Sequence, residues 1–514
     1  MEVVRGMKPH VLVVGVPGQG HVKPLLKLCR QIANHGIKVT FANLQTTHEK
    51  IVAASDSSSN SGEPEEEEGD NFMILTPIPD TRSPDERKDV FNMENIKRTL
   101  PRSITALIER INSSNPGERI SCIIADLTFK WIVETADELG LEALLFSAAS
   151  AASMALIFRI PELVEEGRFD SNGCTPRGAN RWTEAQPRGD PCEAYASTPF
   201  TTVTPRGRPR GNVKKGEIIS LSEDIPSWGE DEFGWSFPSN RKVQKMFFEA
   251  GVKREYHENI KRSKWVIINT CYELESSGCG LNPNFRPVGP LLLGASDRKS
   301  GNFYPEDESC LSWLDSKSTG SVIYVSFGSV AVLSQQQLDE LALGLELSGH
   351  AFLWVVRPGL ADGSRAVYPA GFLGRVGEKM GKIVGWAPQE KVLSHPSVGC
   401  FLSHCGWNST LEGLSKGVPF LCWPYFADQF HNQKYICDKW EIGLKIRQDD
   451  ENGIRSRHEI KEKIDMLFSN HNLKVNALAL KEMCAKSVNQ GGSSDKNLQA
   501  LVDHLRSVAG RLRV

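Results

Sequence analysis

Hydrogen-bonding side chains gather in the stretch HCGWNSTLEG, residues 404–413. The preceding VGCFLSH is typical of a buried strand and NSTLEGLSKG has helical spacing, which places His404, Asn408 and Ser409 in a strand-to-helix turn. A helix N-terminus carries N–H groups without partners and a partial positive charge, both of which suit phosphate. The stretch therefore predicts a phosphate-binding turn, whereas any one of these side chains alone could be an ordinary cap.

Other side chains that suit a nucleotide sugar follow neighbouring predicted strands. Trp386 stands at a strand end and could stack on a flat base, and Glu412, one turn into the helix, could accept hydrogen bonds from ribose hydroxyls. Asp428 and Gln429 follow the strand VPFLCWP and could bind sugar hydroxyls. Taken singly, each could be a buried aromatic or a cap, but together they predict a site for a nucleoside diphosphate sugar.

A histidine and an aspartate in the first half could form a general base. The turn VGVPGQGH (14–21) brings His21 to the end of the first strand, and CIIAD (122–126) ends in Asp126. An unpaired carboxylate at the end of a buried strand is costly, and an Asp–His pair removes that cost. The carboxylate would orient the imidazole and stabilise imidazolium, so that the ring could take a proton from a hydroxyl. The alternatives are a structural histidine and an aspartate that caps a backbone turn.

The elements that must position these residues alternate along the chain as strands and helices. The first series of strands is HVLVVGVP (10–17), VTFAN (39–43), CIIAD (122–126), ALLFS (143–147) and WVIINT (265–270); the second runs through SVIYVSFGS (321–329), AFLWVV, KIVGW, VGCFLSH, VPFLCWP and IGLKI. Such alternation predicts an α/β protein with parallel sheets covered on both faces. Two doubly wound halves would leave a cleft at the carboxyl ends of their strands. Ser334 and Gln337 form a candidate capping box at the first helix of the second half.

Length and composition predict two domains and exclude several partner classes. The chain has 514 residues and a formal net charge of −3, which favours neither nucleic acid nor an anionic membrane. No apolar run is long enough for a signal peptide or a membrane span. The 12 cysteines include no C-x-x-C pair, and Cys400 and Cys405 around His404 lack zinc-site spacing. We therefore expect buried thiols, a cytoplasmic location and a monomer.

The predicted division is a first domain at 1–290, a linker at 291–308, a second domain at 309–490 and a C-terminal helix at 491–514 that returns to the first domain. Two insertions interrupt the first domain. Residues 54–71 are acidic and Ser-rich and predict a solvated loop, and residues 174–217 are rich in Pro, Gly and Arg without periodicity. The second stretch is interpreted as a disordered loop, with a basic binding tail as the alternative.

Residues 386–429, WAPQEKVLSHPSVGCFLSHCGWNSTLEGLSKGVPFLCWPYFADQ, resemble the signature block of plant secondary-product UDP-glycosyltransferases, members of glycosyltransferase family 1. The resemblance extends to P-x-x-G-H near the N-terminus, the A-D strand end, VIYVSFGS and W-x-I-G-L, and covers nearly the whole chain apart from the insertions. AASAASMAL and CWPYFADQFHNQKYICDKWEIGL resemble the plant 83-type subgroup. The resemblance implies a GT-B fold of two Rossmann-like domains, with acceptor mainly on the first and nucleotide sugar mainly on the second.

The resemblance also implies roles for particular residues. His21 would be the general base and Asp126 its partner. The donor would be held by uracil contacts at Trp386 and the Ala387 backbone, ribose contacts at Gln389 and Glu412, diphosphate contacts at Ser329, His404, Asn408 and Ser409, and sugar contacts at Trp407, Asp428 and Gln429. It implies no cofactor and no metal, because the helix dipole and neutral donors offset the leaving-group charge.

The predicted function is inverting transfer of glucose from UDP-glucose to a hydroxyl or carboxyl of a small plant metabolite, such as a phenolic, flavonoid, terpenoid or hormone. A Rossmann-type oxidoreductase would need G-x-G-x-x-G in the first βα turn, and that pattern is absent. A catalytically impaired UDP-sugar-binding protein is the alternative, although it would be expected to lose His21 or Asp126. Many family members have Thr or Ser where this chain has Ala148, so one sugar contact is expected to be missing.

Overall fold

The computed structural model describes residues 8–56, 72–80, 82–83, 93–129, 131–175, 218–229, 232–237, 241–252, 254–292, 301–361, 366–449 and 451–511. The two predicted insertions lie almost entirely outside these ranges, as do residues 293–300 of the predicted linker. Within the described part, no helix is both long and apolar enough to cross a membrane.

The chain forms two compact units, each assembled from separate segments. Unit 1 consists of Met1–Met154, Lys253–Pro305 and Lys486–Val514, and unit 2 of Ala155–Val252 and Glu306–Ala485. Residues 155–252, which the sequence-based division places in the first domain, thus group with the second unit.

A seven-stranded sheet of parallel pairs forms the centre of unit 1. Its strands, in chain order, are β1 (His10–Val14), β2 (Lys38–Leu44), β3 (Met73–Ile78), β4 (Cys122–Asp126), β5 (Glu142–Ser147), β6 (Val266–Ile268) and β7 (Phe285–Pro287). Their spatial order is β3-β2-β1-β4-β5-β6-β7. The direction of winding therefore reverses between β1 and β4, where open α/β sheets bind ligands at their carboxyl ends.

Unit 2 contains a six-stranded sheet, also of parallel pairs. Its strands are β8 (Val322–Ser326), β9 (Ala351–Val355), β10 (Gly381–Val384), β11 (Val398–Ser403), β12 (Phe420–Cys422) and β13 (Gly443–Lys445). The spatial order β10-β9-β8-β11-β12-β13 puts the reversal between β8 and β11. The predicted α/β class with two doubly wound parallel sheets is confirmed.

Helices connect the strands. They are α1 (Gln19–Asn34), α2 (Gln45–Asp56), α3 (Met93–Ser114), α4 (Ile132–Glu138), α5 (Ala151–Glu165), α6 (Arg241–Val252), α7 (Arg254–Arg262), α8 (Ser276–Gly280), α9 (Ser309–Asp315), α10 (Gln335–Ser348), α11 (Phe372–Met380), α12 (Gln389–Ser394), α13 (Trp407–Lys416), α14 (Gln429–Lys434), α15 (Arg457–Ser469), α16 (His471–Val488) and α17 (Ser493–Arg511). A π-helical turn, Tyr435–Lys439, follows α14.

Apolar periodicity determines which helix faces are buried. Val22, Leu25 and Ile32 of α1 pack into the core of unit 1, and Leu501 and Leu505 of α17 join the same core. Removing such side chains from water contributes about 1.5–3 kcal/mol each. The C-terminal helix is therefore held to unit 1 by its apolar face.

The start of α10 shows half of the predicted capping box. Ser334 is the N-cap and its Oγ accepts a hydrogen bond from the Gln337 backbone nitrogen at 3.2 Å. The Gln337 side chain does not reach back to the cap, because its amide exchanges hydrogen bonds with the Arg455 backbone at 2.9 Å each. A contact with a residue far along the chain has replaced the local one.

Candidate active site

Unit 1 brings His21 and Asp126 together at the reversal point of its sheet. His21 lies in the first turn of α1, directly after β1, and Asp126 is the last residue of the neighbouring β4. His21 Nδ1 lies 2.7 Å from Asp126 Oδ2. The side chain of His21 is 41% exposed and that of Asp126 is 3% exposed. The carboxylate thus fixes one ring nitrogen from the protein side while the histidine remains accessible.

Asp126 is ionised although it is buried. Burial alone would raise the pKa of this carboxyl, but the neighbouring His21 charge and the hydrogen bonds from His21 and Thr128 bring the pKa below its ordinary value. The Thr128 backbone nitrogen donates to Asp126 Oδ1 at 2.9 Å. The turn-capping role and the histidine-orienting role therefore coexist, one on each carboxylate oxygen.

The strand-to-helix turn between β11 and α13 has a strained backbone pinned by side chains. Cys405 adopts a φ of 63°, which is unusual for a residue other than glycine. The Ser403 hydroxyl accepts from the Cys405 backbone nitrogen at 3.1 Å, and Asn432 Nδ2 donates to the Cys405 carbonyl at 3.0 Å. Gly406 is the N-cap of α13 and provides no side chain to occupy the N–H groups of the first turn. The turn is therefore built to present these groups to an anion.

Two glycines make room for the His404 ring. A Cβ at Gly328 would stand 2.7 Å from His404 Nε2, and a Cβ at Gly406 would stand 2.5 Å from the same atom. Burial, with a smaller effect of the Arg357 charge, lowers the pKa of His404 to about 4. The imidazole is consequently neutral near pH 7 and can offer a single N–H rather than a positive charge.

The predicted ribose contacts form one connected network. Gln389 Nε2 donates to Glu412 Oε2 at 2.6 Å and to Ser409 Oγ at 3.0 Å. The Tyr324 hydroxyl donates to Gln389 Oε1 at 3.1 Å. Tyr324 was not predicted from the sequence, because a tyrosine inside a largely apolar strand such as β8 gives no signal of a ligand site.

Ser329, Trp386 and Ala387 lie beyond the ends of β8 and β10. Ser329 and Trp386 are half-buried, whereas Ala387 is buried. The Trp386 carbonyl accepts a hydrogen bond from the Asp307 backbone nitrogen at 2.9 Å, which fixes the backbone at that position.

Arg357 braces the loop after β8 and was also missed. Its guanidinium donates to the carbonyls of Gly328, at 3.2 Å, and of Ala331. Arg357 lies 29 and 26 residues along the chain from these two carbonyls, so no local pattern in the sequence predicts the contacts.

Asp428 is the N-cap of α14, at the end of the loop that follows β12, and Gln429 is the first residue of α14. Asn432 Nδ2 donates to Asp428 Oδ2 at 3.1 Å, one turn along α14. Gln429 is 5% exposed, and its Oε1 accepts from the backbone nitrogens of Tyr425 and Phe426 at 2.8 and 3.1 Å. The acceptor half of the Gln429 amide is therefore used inside the protein, and only its Nε2 can serve a sugar as a donor.

Trp407 and Asn408 open α13. The Trp407 residue is 3% exposed, and its ring packs 6.4 Å from that of Trp440. Asn408 is half-buried. The Trp407 ring is therefore almost entirely enclosed by the protein, and its contact with a sugar stays a prediction.

Comparisons with known proteins show which family the chain resembles. A family model described as UDP-glucoronosyl and UDP-glucosyl transferase matches residues 252–485. UDP-glycosyltransferase 83A1 of Arabidopsis thaliana is 36% identical over 97% of this chain and 97% of its own length. (R)-mandelonitrile beta-glucosyltransferase of Prunus dulcis is 32% identical over 85% of each chain. A UDP-glucosyltransferase from Polygonum tinctorium, described as capable of glucosylating indoxyl and solved in complex with 3,4-dichloroaniline, superposes with a TM-score of 0.72 at 25% identity, covering 98% of this chain and 100% of that one.

Two doubly wound sheets with polar residues at both reversal points define the chain as an enzyme with the GT-B fold. It belongs to the plant UDP-glycosyltransferases of glycosyltransferase family 1. The predicted family and enzyme class, a hexosyltransferase that glycosylates plant small molecules, are confirmed. The roles given to individual site residues remain predictions.

Proposed function

We propose that the enzyme transfers glucose from UDP-glucose to a hydroxyl or carboxyl group of a small, partly apolar acceptor, with inversion at the anomeric carbon. The observation that carries this proposal is the His21–Asp126 pair, with a 2.7 Å contact and an accessible imidazole at the carboxyl end of β1. Such a pair is suited to remove a proton from an acceptor at neutral pH.

In the proposed reaction, His21 Nε2 takes the acceptor proton while Asp126 stabilises the resulting imidazolium. The acceptor oxygen forms a bond to the anomeric carbon as the bond from that carbon to the UDP oxygen breaks, and UDP leaves with the electron pair. Attack from the face opposite the leaving group inverts the configuration. A carboxylate acceptor arrives already deprotonated and needs His21 less.

Unit 2 provides the proposed donor site. The first turn of α13, with Ser329, His404 and Ser409, would bind the diphosphate, and its N–H groups and dipole would offset the charge that develops on UDP. The linked side chains of Gln389 and Glu412 would form hydrogen bonds with the ribose hydroxyls, with the Glu412 carboxylate as an acceptor. Trp386 would stack on uracil, whose edge the Ala387 backbone would contact, and Asn408 would complete the diphosphate contacts.

Glucose is supported by the names of the relatives and by the chemistry of the loop before α14. The Prunus dulcis and Polygonum tinctorium enzymes are both named as glucosyltransferases, and both names mention small acceptors. The Asp428 carboxylate accepts hydrogen bonds and Gln429 Nε2 can donate one, so the pair could bracket neighbouring equatorial hydroxyls.

Kinetics with three donors test the sugar assignment. We expect kcat/KM for UDP-glucose to exceed that for UDP-galactose by at least about tenfold, because one unpaired polar group in a desolvated site costs about 1–3 kcal/mol. Ala148 packs its methyl group against the core of unit 1 and offers no hydroxyl, so some transfer from UDP-xylose, which lacks C6, is expected. Equal or better turnover with UDP-galactose would contradict the assignment.

An acceptor screen separates this proposal from the alternative of a catalytically impaired UDP-sugar-binding protein. The enzyme is incubated with UDP-glucose and phenolics, flavonoids, terpenoids or hormone-like acids, and products are identified by mass spectrometry. Glucoside formation supports the proposal. UDP-glucose binding without a product or UDP release across all four acceptor classes would favour the alternative.

A further inference from the structure

A segment of unit 2 that lies outside the family signature packs on α14, the helix that begins at the proposed sugar-binding residues Asp428 and Gln429. We call residues 218–229 and 232–237 the connecting segment. Ile219 and Trp228 exchange backbone hydrogen bonds of 3.0 and 2.8 Å, which fold the segment back on itself. The Phe233 and Trp235 rings stack 4.9 Å apart. The segment therefore has an internal structure that can support a neighbour.

Its first contact with α14 is through His431. This residue is 0% exposed, and its ring stacks on Trp228 with a centroid distance of 4.0 Å and an interplanar angle of 10°. His431 Nε2 lies 2.7 Å from the Pro226 carbonyl oxygen. Because a carbonyl can only accept, Nε2 carries the proton and the ring is locked in one tautomer.

A half-buried lysine makes the second contact. Lys434, at the end of α14, donates to the Ser227 carbonyl at 2.7 Å and forms an ion pair with Glu232. Glu232 Oε2 also accepts from the Gly229 backbone nitrogen at 2.5 Å. The connecting segment thus contacts α14 in its middle, at His431, and at its end, at Lys434.

The third contact reaches the loop that leads into α14. The Ala427 backbone nitrogen donates to the Ser236 carbonyl at 3.3 Å, and the rings of Phe237 and Phe426 stack 5.5 Å apart. Ala427 has a φ of 55°, a conformation that a residue with a Cβ adopts only when its surroundings enforce it. Asp428 follows it directly.

We infer that the connecting segment is a positioning element of the donor site, which sets the orientation of Asp428 and Gln429 and thereby the affinity and selectivity for the sugar. The inference rests on the proposed sugar-binding role of these two residues. The connecting segment contacts the loop before α14 from outside, at Ala427 and Phe426. Within the loop, the Gln429 side chain accepts hydrogen bonds from the backbone of Tyr425 and Phe426. Loss of the external support would let the left-handed turn at Ala427 relax and would displace the neighbouring carboxylate.

A charge exchange provides the sharpest test. Glu232→Lys and Lys434→Glu alone each place like charges together, and the double variant restores an opposite pair. We expect each single variant to raise KM for UDP-glucose about 3- to 10-fold and to change kcat less than twofold. The ratio of kcat/KM for UDP-glucose to that for UDP-galactose should become smaller. The double variant should recover part of both values, because it restores the ion pair but not the hydrogen bonds to the Ser227 carbonyl and from the Gly229 nitrogen. Lys461→Ala, which removes an exposed ion pair with Asp465 on α15, is the matched control and should change neither.

A second pair of variants covers the ring stack. Trp228→Ala should raise KM for UDP-glucose about tenfold, and Trp228→Phe should retain most of the wild-type affinity because it keeps an aromatic face for His431. Thermal midpoints are measured for all variants, and selectivity is compared only among those that remain folded. A merely structural segment would lower the midpoint without changing the donor ratio, and that result would overturn the inference.

Asp428→Asn, assayed in parallel, separates the two hypotheses. If it leaves donor KM and selectivity unchanged, the proposed sugar contact itself is wrong. If it alters them while the charge exchange and the Trp228 variants do not, the sugar contact stands and the positioning role of the connecting segment is wrong.

Discussion

At the scale of single residues, the His21–Asp126 pair of unit 1 depends on the different hydrogen bonds made by the two oxygens of one carboxylate. Asp126 gives Oδ2 to His21 and Oδ1 to the Thr128 backbone, so the carboxylate cannot rotate without losing one of these bonds. Because the pKa of Asp126 lies below its ordinary value, the carboxylate stays charged at neutral pH. A fixed negative charge is what a histidine needs to gain a proton from a neutral hydroxyl.

We expect His21→Ala to lower kcat for an alcohol acceptor about 10²- to 10⁴-fold, the usual contribution of a general base. Asp126→Asn should be nearly as damaging, because the amide keeps the shape but removes the charge that stabilises imidazolium. Initial rates at saturating UDP-glucose measure both effects.

Donor binding serves as the control for these two variants. Calorimetric titration with UDP should give affinities within a few-fold of wild type, since neither residue belongs to the proposed donor site. Retention of more than half the wild-type rate in His21→Ala with an alcohol acceptor would rule out the pair as the base.

Gln429 shows what residue-level reasoning could not foresee. Its place after a strand predicts a sugar contact that both accepts and donates, but the structure commits Oε1 to the backbone of Tyr425 and Phe426. The type and position of a side chain can be read from the sequence. The choice between a ligand and a nearby backbone group depends on the conformation of the loop, which local sequence does not determine.

At the scale of elements, the two reversal points explain why the site residues were identifiable. His21 and Asp126 flank the β1–β4 junction, and Ser329 and His404 follow β8 and β11 at the second junction. Apolar runs predicted these strands, and polar residues directly after a buried strand predicted the edge on which the site lies. β3 and β7 were missed, because MILTPI and FRP are interrupted by polar residues or proline.

Contacts between distant elements account for the rest of what was missed. Arg357 and Tyr324 reach their partners across 26 to 65 residues, and the connecting segment meets α14 across more than 200. Sequence spacing carries information about neighbours three or four residues away in a helix, or two in a strand, but none about such pairs.

Gly406→Ala tests the turn between β11 and α13. The φ of Gly406 is −61°, so alanine fits the backbone, but its Cβ would stand 2.5 Å from His404 Nε2. We expect the imidazole to be displaced and UDP affinity to fall about 10- to 100-fold, a loss equivalent to about one hydrogen bond to a charged group.

Gly374→Ala is the matched control, because a Cβ there meets no atom within 4 Å. Both variants are titrated with UDP by calorimetry and checked for thermal stability. Wild-type UDP affinity in a folded Gly406→Ala variant would show that His404 does not help to hold the diphosphate.

At the scale of the whole molecule, the chain crosses between its two units more than once. Residues 155–252 group with the unit that carries the donor-site residues, whereas the apolar face of α17 completes the core of unit 1. Each unit is thus built from segments far apart in the sequence. Two buried histidines of unit 2, His404 and His431, make the stability of the folded chain sensitive to pH.

Acid should destabilise the protein well before its carboxylates titrate. Burial lowers the pKa of His431 to about 3 and that of His404 to about 4, whereas an unfolded histidine titrates near about 6.5. Because the folded-state pKa values are lowered, the unfolded chain binds these protons first. The stability they contribute is fully present above pH 6.5 and is lost as the pH falls toward 4.

His431→Phe isolates one of these contributions, because phenylalanine can keep the stack on Trp228 but cannot titrate. Each buried neutral histidine should steepen the pH dependence of the unfolding free energy by about 1.4 kcal/mol per pH unit below 6.5. The unfolding free energy of wild type and of His431→Phe is measured with urea at pH 7, 6 and 5. Wild type should be the more stable of the two at pH 7, and the difference should become smaller at pH 6 and smaller again at pH 5. Replacing the exposed His471 by Gln should leave the wild-type slope unchanged. A stability difference between wild type and His431→Phe that stays constant over this range would mean that His431 titrates normally in the folded protein and is not buried as a neutral ring against Trp228 and Pro226.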